Sequence, residues 1–470
     1  QQKEWKKEYE MDENLSAEQA FYHLKEKYNI STEDLELARK IMDVRYEITR
    51  NGYSTTKSVV IAKDISNTSA VQIREQNASL AGMNVITEPI VSYTSGNLAA
   101  HLLGYVAQIN EEEYETRKDT YRNDDTIGKS GIQYVFEEYL KGTDGVKQVD
   151  MTVDGAITSE YISKEAVSGS DVILTIDANL QKVAEDALKQ NLKDISAGKY
   201  GDKHEAKAEA VVVTNVNTGE ILALASYPDY NPARFSEEYT EDDTGRYINR
   251  AITGEYPPGS TFKMVVATAA LAEGEITTST RINDRGVYPY GHHPVCWYYN
   301  SYGTGHGYLN VSQALKNSCN YFFYEMGYRL GIDKITEYAG KYGLGKRTGI
   351  ELEGEGRGNV AKKENATDQG LEWYLSDTLS ASIGQSYNKF TPVQMARYIS
   401  MIANGGKNID LSVVKSIVKT DGSEVSADEI DKFVNQKLNT QNEVTEDLKI
   451  NEDDLAAIRK GMKGVTSEPG

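Results

Sequence analysis

The stretch that most constrains this chain is residues 256–263, which read YPPGSTFK. Two of only nine prolines in 470 residues stand side by side there, and a glycine follows them. The prolines hold the backbone extended, the glycine permits a turn, and the next run, STFKMVVATAALAEG, is rich in residues that favour helices. We therefore expect Ser260 at the start of a helix, with Lys263 on the same face.

The length, net charge and apolar runs of the chain limit the kinds of protein it can be. A length of 470 residues is too great for one ordinary core and indicates two or three domains. The formal net charge of −20 argues against binding to nucleic acid or to an anionic membrane face, because both require clustered Lys and Arg. No run of about 18 apolar residues occurs, so nothing in the sequence is expected to span a bilayer. The first residue is Gln rather than Met, and we expect that an upstream segment, a signal anchor, has been removed.

The pattern along the chain predicts two domains. Residues 1–50 look helical, with a capping box at 16–19 and a second helix expected to open at Ser31. Residues 55–165 hold short β-branched pieces separated by Gly, Asn and Asp, which indicates irregular, mostly extended structure. From about residue 171 the apolar residues recur at regular strand and helix spacings. We therefore place the domains at 1–165 and 166–470.

The second domain has clearer local signals. A strand is expected to end at Asp177, which would cap a helix with an apolar stripe. The run AVVVTNVNTGEILALAS predicts a hairpin around 217–219. Helices dominate from residue 260, and residues 415–425 return to strand and turn. The chain also holds 32 tyrosines, which we interpret as core and surface packing.

Ser260 and Lys263 form an S-x-x-K pattern. A serine hydroxyl is a poor nucleophile near neutral pH and needs a base beside it. A lysine can be that base when burial lowers its pKa, and free N–H groups at a helix start can bind a developing oxyanion. S-x-x-K also arises by chance, so it is a hypothesis until its context is found.

That context is an S-x-N element at residues 318–320, in the run LKNSCNYFFY. We expect Ser318 and Asn320 on a short loop between helices, where a hydroxyl can relay a proton and an amide can hold both the lysine and a substrate carbonyl. Alone, such a string is more often a helix cap. Its position 58 residues after Ser260 makes an accidental pairing of the two elements far less plausible.

Longer landmarks occur around these elements, including IGKSGIQYVFEEYLKGTDG, NRAITGEYPPGSTFK, GHGYLNVSQALKNSCNYFFYEMG, TGIELEGE and SASIGQSYNKFTPVQMARYISMIANGG. With them the sequence resembles the class B penicillin-binding proteins, the monofunctional D,D-transpeptidases, and is most similar to the elongation-type penicillin-binding protein 2. The resemblance covers nearly everything after residue 85. It implies an α+β fold, with an elongated pedestal or dimerisation-type domain over 1–165. Residues 166–470 would form a transpeptidase domain in which helices flank an antiparallel sheet.

The resemblance also implies roles for the four residues. Ser260 would attack the penultimate D-Ala carbonyl of a peptidoglycan stem peptide, and β-lactams would acylate the same serine. Lys263 would take the serine proton, while Ser318 and Asn320 would relay it and position the substrate. Binding of substrate is thus expected at Ser260, Ser318 and Asn320, and an amine from a neighbouring stem would release the product as a cross-link.

The family's third element, K-T-G, is not found. Lys419-Thr420-Asp421-Gly422 does not match it and is expected to be a turn, and Arg347-Thr348-Gly349 belongs to the TGIELEGE landmark. In the family the run KGMKGVTSEPG lies shortly before the K-T-G strand. We therefore expect a C-terminally truncated transpeptidase domain whose own activity is in doubt. The R-G-x-I-x-D-R-x-G stretch usual after the membrane anchor is not found either, so the pedestal is expected to be incomplete.

Residues 284–319 are crowded with metal-binding residue types, namely Asp284, His292, His293, Cys296, His306 and Cys319. Some elongation-type members resemble this pattern and hold zinc near the active site, which would here use Asp284, Cys296, His306 and Cys319. The two cysteines could instead form a disulfide in an exported protein, or remain free. All three options stay open, with free cysteines favoured, because spacing cannot show convergence in space. No cofactor is required by the implied reaction, and zinc is the possible one.

The resemblance implies partners and a place in the cell. The partners would be the stem peptide and lipid II, β-lactam antibiotics, and a membrane-embedded glycosyltransferase of the elongation machinery. The protein would lie on the extracytoplasmic face of the cell membrane, held by a single N-terminal anchor absent from this chain. Two rival functions remain: a β-lactamase or D,D-carboxypeptidase, in which water resolves the acyl-enzyme, and an inert scaffold that activates a lipid-II polymerase.

Overall fold

The structure is a computed structural model that describes residues 5–7, 9, 11–50, 52–53, 59–76, 79–80, 82–88, 90–152, 157–235, 245–441, 443 and 445–467. Packing divides the chain into two compact units. One comprises Gln1–Pro89 and Lys147–Ile162, and the other comprises Ile90–Val146 and Ser163–Gly470. The domain boundary at residue 165, which was placed from sequence composition, stays a prediction.

The smaller unit contains the helices Ala17–Lys27, Leu35–Arg50 and Asn67–Glu75. The predicted capping box is confirmed, because the Ser16 side chain accepts from the Gln19 backbone and the Gln19 side chain accepts from the Ser16 backbone. The second helix does not open at Ser31. The Asp34 carboxylate accepts from the backbone N–H groups of Glu36 and Leu37, so Asp34 and not Ser31 caps this helix.

The larger unit is built mainly from helices. The segments Val146–Met151 and Ile157–Lys164, which belong mostly to the smaller unit, pair as two strands. The other strands are Val106–Gln108, Thr126–Gly128, Asp171–Leu174, Glu209–Thr214, Ile221–Tyr227, Ile282–Asp284, Gly307–Leu309 and Val414–Val418. The α-helices are Ala100–Leu103, Glu111–Glu115, Gly131–Val135, Glu137–Leu140, Ala178–Ala197, Arg250–Thr253, Lys263–Ala272, Trp297–Tyr302, Val311–Lys316, Asn320–Lys341, Lys363–Thr367, Leu375–Ser382, Pro392–Ala403, Ala427–Leu438 and Glu452–Ser467.

The strands form antiparallel pairs, and the predicted hairpin is confirmed. Glu209–Thr214 pairs with Ile221–Tyr227, and Asp171–Leu174 pairs with Val414–Val418. Asp177 caps the helix Ala178–Ala197 as predicted, with its carboxylate accepting from two backbone N–H groups. That helix packs its apolar stripe on the hairpin, so one face of these strands is covered by a helix. The α+β class expected from the sequence is therefore observed.

The helical core surrounds Lys263–Ala272, a helix with nine of its ten residues buried. A helix so apolar on every side requires neighbours all round it. Asn320–Lys341 and Glu452–Ser467 pack against it, and Glu452–Ser467 also lies across Val311–Lys316. The helices Val311–Lys316 and Asn320–Lys341, on either side of residues 318 and 319, are therefore both packed into this core.

One smaller expectation concerns the last third of the chain. Residues 419–422 form a turn, as predicted, in which the Gly422 N–H donates to the Lys419 carbonyl at 2.9 Å. Among the helices of the described residues, none is both long enough and apolar enough to cross a membrane.

Candidate active site

Ser260 lies in a short 3-10 turn, Gly259–Phe262, and its side chain is exposed. The sequence predicted a helix start at Ser260, but the α-helix begins at Lys263. The difference arises because Gly259 has a φ of 56° and opens a tighter turn first, which is common where a chain enters an α-helix. The turn presents the serine hydroxyl at the surface while the helix behind it remains buried.

Lys263 is almost wholly buried, with 1% of its surface exposed. Its ammonium group donates to the Ser318 carbonyl at 2.8 Å, to the Ser318 hydroxyl at 3.0 Å and to Asn320 Oδ1 at 2.7 Å. Burial lowers the pKa of Lys263 to about 8, although the nearby Cys319 and Cys296 act in the opposite direction. A substantial fraction of this amine is therefore uncharged at mildly alkaline pH.

Ser318 lies on the short connection between the helices Val311–Lys316 and Asn320–Lys341, as predicted, whereas Asn320 is the first residue of the second helix and not part of the loop. Ser318 has a φ of 47°, a left-handed conformation that few residues other than glycine adopt. In this conformation its hydroxyl donates to Ser260 Oγ at 2.9 Å. The structure thus brings all four predicted residues together, with Ser318 linking the serine to the lysine.

Three residues that support this site were missed in the sequence analysis. The Tyr398 hydroxyl donates to the Thr261 carbonyl at 3.0 Å, inside the turn that carries the serine. Gly384 meets the same turn, because its carbonyl accepts from Gly259 N–H at 3.0 Å. A Cβ on Gly384 would lie 2.0 Å from the Gly259 carbonyl oxygen. The local sequence is typical of a helix-end glycine, and nothing in it reveals which segment Gly384 contacts.

The third of these residues is Trp297. Its indole N–H lies 3.1 Å from the carbonyl oxygens of Asn317 and Ser318. The Ser318 carbonyl therefore accepts from both an indole and the buried lysine. This double contact helps hold the strained serine in place.

A second group of polar residues lies directly behind the S-x-N element. Asp284, Cys296, His306 and Cys319 each present one ligand atom, and all four atoms lie within 4.8 Å of one another. Cys319 belongs to both groups, since it stands between Ser318 and Asn320. The structure brings together the four residues chosen from the sequence, whereas His292 and His293 are exposed and lie outside this group.

The donor atoms of the group suit zinc in type and in most distances. Two sulfurs bound to one zinc at about 2.3 Å in tetrahedral geometry would lie about 3.8 Å apart, and the two cysteine sulfurs are 4.0 Å apart. Cys296 Sγ is 3.7 Å from His306 Nδ1, and Cys319 Sγ is 3.3 Å from Asp284 Oδ2. Asp284 Oδ2 and His306 Nδ1 are closer, at 2.6 Å, which is a hydrogen bond. A separation of 4.0 Å is not a covalent S–S bond, and both cysteines are free in this structure.

Hydrogen bonds set the protonation of this group. Those from Cys319 and then His306 lower the pKa of Cys296 to about 5, against the effect of burial. Burial acts to lower the pKa of His306, but the hydrogen bond to Asp284 raises it to about 9. The Cys296 bond and burial both raise the pKa of Cys319 far above that of a free thiol. His306 Nε2 is buried and has no hydrogen-bond partner.

Comparisons with known proteins identify the family of this chain. The family model described as the penicillin binding protein transpeptidase domain matches residues 209–470, and that of the penicillin-binding protein dimerisation domain matches residues 5–174. The peptidoglycan D,D-transpeptidase MrdA of Acinetobacter baumannii is 31% identical over 394 residues, which is 81% of this chain and 56% of that protein. MrdA of Escherichia coli K12 is 34% identical over 328 residues, 67% of this chain and 49% of that protein. The chain thus spans about half the length of these curated relatives.

Solved structures share the fold. A chain of a peptidoglycan synthase complex that coordinates polymerization and crosslinking is 27% identical, with a TM-score of 0.70 over 90% of this chain and 71% of that chain. Pseudomonas aeruginosa PBP2, solved with WCK 5153, is 26% identical, with a TM-score of 0.60 over 81% of this chain and 75% of that chain. The transpeptidase model alone matches more than half of the chain. This chain therefore belongs to the penicillin-binding protein transpeptidase family, and a penicillin-binding protein dimerisation domain precedes the transpeptidase domain in the sequence.

Proposed function

We propose that this protein is a peptidoglycan D,D-transpeptidase that cross-links stem peptides through an acyl-enzyme on Ser260. The observation that carries the proposal is the continuous hydrogen-bonded path from Ser260 through Ser318 to the buried Lys263. A neutral lysine at the end of such a path is a base suited to activating a serine hydroxyl. The names of the curated relatives support the same reaction.

The residues divide the acylation step between them. Ser260 Oγ attacks the carbonyl carbon of the penultimate D-Ala and forms the ester bond, while its proton passes to Ser318 Oγ. The Ser318 proton passes in turn to the neutral Lys263, since hydroxyl hydrogens rotate freely between partners. As its amide bond breaks, the amine of the departing terminal D-Ala takes this proton back from Lys263 through Ser318, which leaves the lysine neutral. Asn320 holds the lysine through its Oδ1, which leaves its amide N–H₂ to bind a substrate carbonyl.

The second half of the reaction uses the same proton path between Lys263, Ser318 and Ser260. An amine of a neighbouring stem attacks the ester carbonyl, and its excess proton is taken up along the same hydroxyl chain. Ser260 Oγ leaves and recovers its proton, and the new amide bond is the cross-link. β-Lactams would acylate Ser260 in the same way, because their strained amide occupies the place of the D-Ala-D-Ala bond.

The substrate and partners follow from this reaction. The donor is a stem peptide carried by peptidoglycan or lipid II, and the expected partner is a membrane-embedded glycosyltransferase that polymerises lipid II. The structural neighbours include a chain of a peptidoglycan synthase complex and PBP2 of Helicobacter pylori in complex with MreC, which supports a multiprotein setting. The site of action would be the extracytoplasmic face of the cell membrane, with residues 1–165 as the pedestal.

A zinc ion held by Asp284, Cys296, His306 and Cys319 is part of the proposal. The free cysteines and the arrangement of S, N and O donors support it, since thiolate, imidazole and carboxylate all bind zinc and structural zinc takes four such ligands in tetrahedral geometry. When bound, zinc would supply a structural cross-link behind the S-x-N element. The acyl transfer itself remains with the serine and lysine.

Metal analysis of the purified protein tests the zinc site. We expect about one zinc per chain in the natural protein, loss of zinc in Cys296→Ser and retention in His292→Ala, the matched control outside the group. A protein purified without chelators that holds no zinc would reject the site. Zinc that persists in both Cys296→Ser and Cys319→Ser would also reject it.

Labelling with a fluorescent penicillin tests the function. The experiment compares the protein with its Ser260→Ala and Ser423→Ala variants, and Ser423→Ala removes an exposed serine hydroxyl from a distant turn. Stable labelling that disappears only in Ser260→Ala supports the transpeptidase. Label that is rapidly lost from Ser260 indicates a hydrolase, and a protein that takes no label indicates a scaffold.

A further inference from the structure

The hydrogen bonds around the amine of Lys263 decide where its lone pair points. In the ammonium form, three N–H groups donate to the Ser318 carbonyl, the Ser318 hydroxyl and Asn320 Oδ1. The neutral form keeps only two N–H groups, and a carbonyl or amide oxygen can accept a hydrogen bond but cannot donate one. The two N–H groups therefore go to the Ser318 carbonyl and to Asn320 Oδ1, and the lone pair faces the Ser318 hydroxyl.

This arrangement sets the direction of proton transfer. When the lysine is charged, the Ser318 hydroxyl accepts from it and donates to Ser260 Oγ. When the lysine is neutral, both bonds reverse, so that Ser260 donates to Ser318 and Ser318 donates to Lys263 Nζ. If the Ser318 carbonyl turned away, an N–H of the neutral amine could point at the Ser318 hydroxyl instead, which would then have no base to receive its proton. The orientation of one carbonyl thus controls whether the base can act.

That carbonyl belongs to a strained residue. Ser318 has a φ of 47°, a conformation that persists only where neighbouring contacts hold it. Its carbonyl oxygen has two lone pairs, and it accepts from Lys263 Nζ at 2.8 Å and from the Trp297 indole N–H at 3.1 Å. The lysine rearranges its hydrogen bonds each time it gains or loses a proton, whereas an indole N–H is always a donor. Trp297 is therefore the partner of this carbonyl that stays the same through the reaction.

Trp297 is itself anchored by contacts that do not involve the reacting groups. It is the first residue of the helix Trp297–Tyr302. The preceding Cys296 is buried, and its backbone N–H donates to the Gly286 carbonyl at 2.8 Å. The indole ring packs edge-on against His306, with ring centroids 5.8 Å apart. These contacts fix the position from which the indole N–H reaches the carbonyl.

We propose that Trp297 is a positioning residue for acylation, whose indole N–H holds the Ser318 carbonyl toward Lys263 so that the lone pair of the neutral amine faces the Ser318 hydroxyl. This inference rests on the proposed function. Trp297 acts through Ser318, so its loss slows the acyl transfer itself and leaves penicillin binding unchanged. Because 41% of Trp297 is exposed, the alternative role is direct contact with the bound ligand, which would change binding instead.

Saturation kinetics by stopped flow with a fluorescent penicillin separate these roles, because they give both the Kd of the non-covalent complex and the rate constant of acylation within it. Trp297→Phe keeps an aromatic ring and removes the N–H. In a second variant, Trp297 is replaced by benzothienylalanine, which keeps the shape of the indole and has sulfur in place of the N–H. The matched control is Trp5→Phe, which also loses an indole hydrogen bond, to the Tyr46 hydroxyl at 3.1 Å in the smaller unit. Thermal unfolding is measured on every protein.

We expect the rate constant of acylation to fall about fivefold in both Trp297 variants, the effect of one lost hydrogen bond, with the Kd unchanged. Trp5→Phe should match the natural protein in both quantities. An unchanged rate constant in the benzothienylalanine protein would overturn the inference, and a raised Kd with an unchanged rate constant would make Trp297 a ligand contact instead. A fall of equal size in Trp5→Phe would also overturn it, since the effect would then be general.

The same experiment tells failure of this inference from failure of the proposed function. A natural protein that is not acylated at Ser260 rejects the proposed function and this inference with it. Normal acylation that does not depend on the Trp297 N–H rejects this inference alone and leaves the proposed function standing.

Discussion

The pH dependence of acylation is the sharpest consequence of the buried lysine. With a pKa of about 8, Lys263 is about 9% neutral at pH 7 and about 91% neutral at pH 9. If the neutral amine is the base, the second-order rate constant for acylation by a penicillin rises about tenfold between these values and then levels off. Stopped-flow fluorescence with a fluorescent penicillin measures this rate, with spontaneous hydrolysis of the drug subtracted at each pH.

The control is Lys263→Arg, because a guanidinium stays charged throughout this range. We expect that variant to acylate far more slowly and with no rise between pH 7 and 9. A rate in the natural protein that is flat across the range would refute the reasoning. A midpoint near 10.5, the ordinary value for lysine, would refute it as well, since burial would then have no effect on this amine.

The same pKa predicts how stability changes with pH. The folded protein releases the Lys263 proton near pH 8 and the unfolded chain releases it near 10.5, so the unfolded state holds more protons between these values. Stability attributable to this residue therefore rises with pH through that window and is lower below it. The full difference is about 3 kcal/mol, since each unit of pKa is worth about 1.4 kcal/mol. Denaturant unfolding of the natural protein and Lys263→Met at pH 7.5 and pH 10.5 should show the gap between them shift by this amount in favour of the natural protein, and an unchanged gap would contradict the assignment.

Two further predictions concern residues that support the serine turn. Gly384→Ala should slow penicillin acylation about 100-fold, because its Cβ would push on the Gly259 carbonyl and a displacement of about 1 Å at a reacting group can cost that much. Gly370→Ala, which has a similar φ of 71° but open space around it, should acylate normally; equal rates in the two variants would contradict the contact. Tyr398→Phe should lose about 1 kcal/mol of stability and slow acylation several-fold, since its hydroxyl holds the turn at the Thr261 carbonyl. Tyr338→Phe, which also loses a tyrosine hydroxyl bond, should lose stability without slowing acylation, and a similar slowing in both would argue against a positioning role.

Local signals in the sequence predicted much of this structure. The cap at Asp177, the hairpin around residues 217–219 and the turn at 419–422 depend on neighbouring residues, so they can be read from short stretches. The S-x-x-K and S-x-N elements are also local. Their meeting in space was inferred from the resemblance to a family, and the hydrogen bond between Ser318 and Ser260 agrees with that inference.

Features that depend on contacts between residues far apart in the sequence could not be predicted from short stretches of it. Tyr398 lies 137 residues from Thr261, and no periodicity connects the two. The convergence of Asp284 with Cys319 depends on how one strand and one loop pack, which spacing alone could not decide. The exact start of the α-helix at Lys263 depended on a tight turn that competes with it. These cases share one cause: tertiary packing selects among conformations that the local sequence permits about equally.

The most direct measurement of the central claim is peptide mapping of the protein after exposure to benzylpenicillin. A hydroxyl activated through Ser318 by a buried amine should carry the drug, so mass spectrometry should find the adduct on the peptide that contains Ser260. An adduct located on any other residue, or labelling that continues undiminished in a folded Ser260→Ala protein, would contradict the account.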